Sequence, residues 1–496
     1  MAAPKVVSAK CPTCGANLPI PPGIPQVTCR YCQNVIHIEH RKPPPNVQPF
    51  GAPGAVPSRT LYIDPNAAAQ ASKNVGCAIA IAVLFPILLP LVFGVGPWAV
   101  RSCKGAVKPF PVACGLNEEL ELSGNFEATG PIVTSVGHNC KLHIKNSKLK
   151  GSTFIKTDAA NMELTLDNVT IETTDRMIRT GANLKVHVQG STLTSANAVF
   201  DSDSNMVIDA ENSTFESNNA AAIKAEHNLK LHLDGTKIRG KKAGVDSNAN
   251  MELTMKHLSE ITSSDGVGVK TTSSLKLEAE GGKIDGPSGA LVVTSNANIT
   301  ATGLSLSSKE RAIAASSSLK LDYTDGSIIS LGDMAIDADS SMELLLVNTK
   351  VQAATTAINC EGNSKIKASK KTTIAGTTGN GITTTSNSEL VVADAAIEAG
   401  EKAFKGGVNN KVKLSQGARL AGKKGGIESE GNFDLDATGA TVEGGSGHAL
   451  LAGYNARLTF KQGLLRGTPA LQVERKPTSV DLSGTRVEGE QKIPAR

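Results

Sequence analysis

The chain has 496 residues, with 51 Lys and Arg against 46 Asp and Glu, a net charge of +5. That total conceals a split: residues 1–116 hold 10 basic and 2 acidic side chains (+8), which leaves 41 basic and 44 acidic (−3) for residues 117–496. A basic head on a near-neutral body argues against a chain-wide nucleic-acid binder. Aromatics at 3% and 48 glycines disfavour a helical enzyme and sugar binding by ring stacking, and suit an extended repeat protein.

Four of the nine cysteines stand in one arrangement. Cys11 and Cys14 form one CxxC, Cys29 and Cys32 a second, with 14 residues between Cys14 and Cys29. Each CxxC turn aims two thiolates at one ion, and four sulfurs complete a closed tetrahedral zinc site. Gly15 supplies the open backbone that the first knuckle needs. The segment resembles the zinc ribbon family over roughly residues 8–40. That resemblance implies one structural Zn2+ on Cys11, Cys14, Cys29 and Cys32, with no open position for water or substrate. A module this small has little core, so zinc would supply most of its folding free energy. His37 and His40 are surplus to four thiolates. The few local charges favour a protein partner over nucleic acid. The ribbon is assigned to 1–42.

Residues 43–73 read as a linker, semi-extended in its Pro- and Gly-rich part (PPPNVQPFGAPGAVPS, 43–58). Residues 74–100 read as a transmembrane helix. Val75–Val100 runs without a charge, about 39 Å of helix against a hydrocarbon core of about 30 Å. Lys73 and Arg101 bracket it, Trp98 sits at its end, and Pro86, Pro90 and Pro97 predict kinks. The segment begins too far in for a cleaved signal peptide and reads as a signal anchor. Flanking charges, Arg59 and Lys73 before and Arg101, Lys104 and Lys108 after, are ambiguous or slightly favour the C-terminal side inside. A four-thiolate zinc site belongs in a reducing cytosol, so the expected arrangement is N-terminus cytosolic and C-terminal domain exported, in a bacterial inner membrane. A re-entrant hairpin around Pro86 and Pro90 is the alternative. In the juxtamembrane stretch 101–116, Cys103 and Cys114 would be candidates for a short-loop disulfide.

From residue 117 the chain repeats. Starts at Asn117, Asn139, Asn161, Asn183, Asn205, Asn228, Asn250, Ser274, Asn298, Ser318, Ser341, Asn363, Asn387, Asn409, Asn432, Asn455 and Pro477 give 17 repeats averaging 22.5 residues. Each copy alternates apolar and polar residues, with offsets +1, +3 and +5 apolar, as in Leu229, Leu231 and Leu233. A second short strand ends near offset +10 (Ile171, Leu193, Phe215, Ile238). A third precedes the next start (Ile178, Phe200, Ile223, Val245). Three strands per turn with polar corners resemble a right-handed parallel β-helix, the pectate-lyase-like fold; the hexapeptide left-handed helix has a shorter period. The predicted class is mainly β, about 17 stacked turns over residues 117–496. A corner Asn tolerates left-handed backbone, and its amide can bond the Asn one turn away.

Offset +2 predicts a charge ladder up the stack: Glu119, Lys141, Glu163, Lys185, Val207, Lys230, Glu252, Lys276, Thr300, Lys320, Glu343, Lys365, Glu389, Lys411, Asp434, Arg457 and Ser479. Signs alternate, and a neutral residue separates the lysines that would otherwise adjoin. A weaker ladder follows the third strand: Arg179, Asp201, Lys224, Asp246 and Lys270.

The resemblance to pectate lyases and other β-helical hydrolases covers fold alone. Their chemistry would need clustered carboxylates, or calcium ligands with a basic partner. The local candidates are Asp201 with Asp203, and Asp337 with Asp339 in a run that includes Asp325 and Asp333. Gly447-His448 is a weaker motif. His143, His187 and His232 share offset +4, two turns apart, about 9–10 Å, too far for one metal ion. Cys140 and Cys360 read as small core or corner residues. The favoured function is a noncatalytic, membrane-anchored scaffold or recognition protein, with a protein partner for the ribbon and an envelope polysaccharide or protein for the β-helix. An anchored polysaccharide lyase or glycoside hydrolase is the second reading, and a self-assembling rod the third.

Overall fold

The computed structural model describes residues 111–494, apart from 160, 182 and 416, together with four short strands before residue 38. The chain divides into two compact units, Met1–Val100 and Arg101–Arg496.

In the first unit, Val7–Lys10 pairs antiparallel with Asn17–Ile20, and Gln26–Thr28 with Val35–His37. The four predicted zinc ligands, the linker and residues 74–100 lie outside the described residues, as does Cys103. Among the described residues, no helix is long and apolar enough to cross a membrane.

The second unit is a parallel β-solenoid of about 17 turns, roughly 22 residues each. Each turn contributes a strand to three faces, here called first, second and third in chain order. One turn shows the pattern: Leu184–Gln189, Thr192–Ser195 and Phe200–Ser202. Each strand pairs in parallel with its equivalent one turn on: Leu184 with Met206, Leu193 with Phe215, Phe200 with Ile223. Alternation turns the apolar set inward. Leu184, Val186 and Val188 are buried, while Lys185 and Gln189 are exposed. The inward residues of successive turns form one continuous apolar core, since no single turn could enclose its own. The scarce aromatics are spent there: Phe154, Phe200, Phe215, Tyr323, Phe404, Phe433 and Phe460 are fully buried.

The corner ladder forms as its chemistry dictates. The Asn139 amide donates to Asn117 at 2.8 Å, and the chain of bonds continues through Asn161, Asn183, Asn205, Asn228 and Asn250. It resumes from Asn363 to Asn455. Asn117, Asn139, Asn161, Asn387, Asn409, Asn432 and Asn455 have positive φ. A second corner lies seven residues after most repeat starts, and it too is left-handed: Asn146, Asn168, Gly190, Asn212, Gly235, His257, Gly281, Gly303, Asp325 and Asn348. Glycine takes that conformation at no steric cost, and Asn and Asp with little.

The structure corrects the phase of one repeat. Asn298, not Thr300, stands between Lys276 and Lys320, so that turn begins at Asn296. Gly303, seven residues after Asn296, marks the same phase through its left-handed corner. A second correction concerns the cysteines. Cys114 is bonded to Cys140 across the first turn, which rules out a Cys103–Cys114 bridge. The solenoid strands also begin at Val112, before the first sequence repeat.

Candidate functional site

The +2 side chains form one continuous stripe on the first face. Glu163 lies 3.5 Å from Lys141 and 3.4 Å from Lys185; Lys230 lies 3.0 Å from Glu252. Desolvation opposes ionisation of Glu163, yet Lys185 and Lys141 together hold its pKa below the usual carboxylate value. From Lys141 to Lys185, from Lys230 to Lys276 and at Glu343 with Lys365, the stripe therefore satisfies itself, and these lysines and glutamates need no ligand.

On the third face, Arg179, Asp201, Lys224, Asp246 and Lys270 are successive register partners, as the weaker ladder predicts. Asp201 nevertheless differs from a ladder residue. Its side chain is only 4% exposed because Arg176, from the turn before, folds over it at 2.9 Å. Burial raises its pKa, and Arg176 opposes that shift. Asp203 is more open and meets Arg179 at 3.5 Å. A hollow of about 370 Å³ opens here, lined by Lys156, Asp175, Arg176, Arg179, Asp201 and Lys224 among others.

The same clamp recurs higher in the stack. Arg311 Nη1 donates to Asp337 at 2.7 Å, and Asn359 donates to the other carboxylate oxygen at 2.9 Å. The Asp337 side chain is 7% exposed, and Asp333 approaches the same guanidinium at 3.7 Å. Asp339 is exposed, and Asp325 occupies a left-handed corner where it accepts a bond from Asn348. Asp201 and Asp337 are thus each held by an arginine inside the third face. Neither stands with a second free carboxylate over an open groove.

Asp209 stands between two of the histidines on the first face. Both rings turn Nδ1 towards its carboxylate, His187 at 3.2 Å and His232 at 2.7 Å. His257 meets Asp234 at 2.5 Å beside them. His187, Asp209, His232 and Asp234 line a hollow of about 580 Å³. His143 lies opposite Glu121 and Thr165 and is not part of this cluster. Among the described residues, no group of three or more His, Cys, Asp or Glu is arranged to hold a metal ion. The Asp209 link was readable in the sequence: it is the offset +4 residue of the repeat between the two histidines.

His448 is largely buried, and its Nε2 makes no hydrogen bond among the described residues. Its ring is 15% exposed and lies 3.4 Å from Glu428, which also meets Lys402 at 2.5 Å. His448 first, then Lys402, draw the Glu428 pKa down to about 2 against the opposing effect of burial. Cys360 is buried, and desolvation pushes its thiol pKa up, the opposite of what a nucleophile requires. Tyr454 is the one aromatic ring classed as exposed among the described residues, too little for a sugar-stacking platform.

No family model, curated protein or solved structure matches this chain.

Proposed function

We propose that the protein is a membrane-anchored, noncatalytic recognition scaffold: a cytosolic zinc ribbon, one membrane span and an exported solenoid wound right-handed. The observation that carries the noncatalytic part is the arginine clamp. The carboxylates best placed for hydrolytic chemistry, Asp201 and Asp337, are buried under Arg176 and Arg311. General acid–base work needs a carboxyl group free to reach substrate.

Two further observations support the topology. Each CxxC occupies the chain between two paired strands, where a zinc knuckle belongs, so Cys11, Cys14, Cys29 and Cys32 would hold Zn2+ in a structural role. The Cys114–Cys140 disulfide favours an oxidising compartment for the solenoid, as the zinc thiolates favour a reducing one for the ribbon. The span 74–100 separates the two.

The test is side-specific labelling. Asn219→Cys in a Cys103→Ser background places an exposed thiol on the solenoid. An impermeant maleimide should label it in intact cells. Labelling only after lysis would reject export.

A further inference from the structure

Along the outward columns of the solenoid, register partners either oppose in sign or include a neutral residue. Among the described strands this rule fails at two places: Glu211 stacks on Asp234, and Lys156 on Arg179. Like charges directly opposite are destabilising, so a sequence that avoids them elsewhere retains these two at a cost. Each lies in one of the two hollows described above.

The acidic pair is relieved locally. Asp234 has His257 at 2.5 Å, and Glu211 accepts a bond from Asn212 at 3.4 Å. In the basic pair only Arg179 is relieved, by Asp203 at 3.5 Å; Lys156 makes no ion pair among the described residues and feels the Asp175 carboxylate only at longer range. Around them, the acids have other direct partners. Asp201 fixes Arg176, Glu226 takes Lys224 at 2.6 Å, and Asp175 accepts the Asn197 amide at 2.7 Å. An arginine tethered through one edge keeps further N–H donors for a ligand. Lys156, Arg179 and the free edge of Arg176 therefore form a pre-positioned cationic rim around a hollow of small-molecule size.

We infer that this third-face hollow is a binding site for an oxyanion, the carboxylate, sulfate or phosphate group of a polar ligand, held by Lys156, Arg179 and Arg176. The ligand supplies the negative charge that is missing between Lys156 and Arg179. This deepens the recognition reading and rests on it. Because the test is done on purified protein, it can fail while export stands, and export can fail while the site binds.

The experiment uses the full chain in detergent micelles at low ionic strength. Titration calorimetry is run with inorganic phosphate, sulfate and glucuronate, and with glucose as the uncharged control. Binding of phosphate or sulfate identifies a free-oxyanion site. Binding of glucuronate alone identifies an acidic saccharide. Either supports the inference, provided Lys156→Gln and Arg179→Gln each weaken binding at least tenfold and Lys148→Gln, on the second face, does not. A second readout separates binding from architecture: the ligand-free Lys156→Gln protein should melt at the same temperature as wild type or higher, since it loses repulsion. No binding of any anion, equal binding of glucose, or undiminished binding by the two variants would overturn the inference.

Discussion

Asp337 offers the sharpest test of how the third face is held together. Asp337→Ala removes an acceptor serving Arg311 at 2.7 Å and Asn359 at 2.9 Å. Hydrogen bonds to a charged group contribute about 1.5–3 kcal/mol each, and breaking a fully buried pair costs about 3–5 kcal/mol. Arg311, however, is 48% exposed and has Asp333 close by, so its guanidinium recovers water and a second carboxylate. The expected loss is therefore about 2–3 kcal/mol. Arg311→Ala should cost at least as much, because it leaves the 7%-exposed carboxylate with Asn359 alone. The double variant should cost less than the two single losses added, by about 1–2 kcal/mol. The assay is guanidinium unfolding of the 101–496 unit followed by circular dichroism, with equal m-values as the check that the same structure unfolds. Single-variant losses below about 0.5 kcal/mol, or strict additivity, would refute the clamp. A gain in stability for Asp337→Ala would point instead to a carboxylate kept for chemistry at the expense of the fold.

Glu428 sets a pH dependence. Its folded pKa of about 2 lies below its ordinary value of 4.5, so it adds stability above about pH 4.5 that disappears as pH falls towards 2. After allowance for solvent screening, the gap between wild type and Glu428→Gln should be about 1–2 kcal/mol above pH 5 and close by pH 2; a gap that widens on acidification contradicts the assignment. Leu231 is fully buried in the first face, so Leu231→Ala should lower unfolding free energy by about 2–5 kcal/mol, measured by the same denaturation. Cys114→Ser with Cys140→Ser opens a bond between residues 26 apart, and the expected loss is about 3 kcal/mol; an unchanged midpoint under non-reducing conditions would show the bond is not formed in the native protein. Zinc analysis of the purified chain should give one ion, lost when Cys29 is replaced by Ser.

Much of the solenoid is legible in the sequence because its rules are local. Alternation assigns Leu184, Val186 and Val188 to the interior, and one repeat length carries Lys230 to Glu252. The phase error at Asn298 has a definite origin: Asn marks a corner in most turns but is an outward ladder residue there. The second corner was harder to see because it asks for a backbone angle, which Asn, Gly, Asp and His all meet. The clamps and the disulfide join residues slightly more than one repeat apart: 25 for Arg176 and Asp201, 26 for Arg311 and Asp337, and 26 for Cys114 and Cys140. Reading down equivalent positions misses such pairs, since each partner sits at a different place in its turn.

The charge ladder and its exceptions have the same physical origin. An exposed pair such as Lys230 and Glu252 contributes only about 0–1 kcal/mol, so the ladder adds modestly to absolute stability. Its effect on alignment is larger. If the turn of Glu163 looped out, Lys141 would meet Lys185; losing the turn of Glu252, Lys365 or Glu389 would likewise set Lys230 against Lys276, Glu343 against Glu389 or Lys365 against Lys411. At each such junction attraction would become repulsion, which disfavours the skipped register locally. The apolar interior alone discriminates poorly, because a skipped turn still sets Leu against Leu. The near-neutrality of residues 117–496 follows from this requirement and carries no information about ligands. A pair of like charges is different: it adds nothing to alignment and repels in the native register. Lys156 therefore adds nothing to the register, and Arg179 contributes only through Asp201 and Asp203 on its other side; the negative charge that would sit between the two cations is one the ladder does not supply.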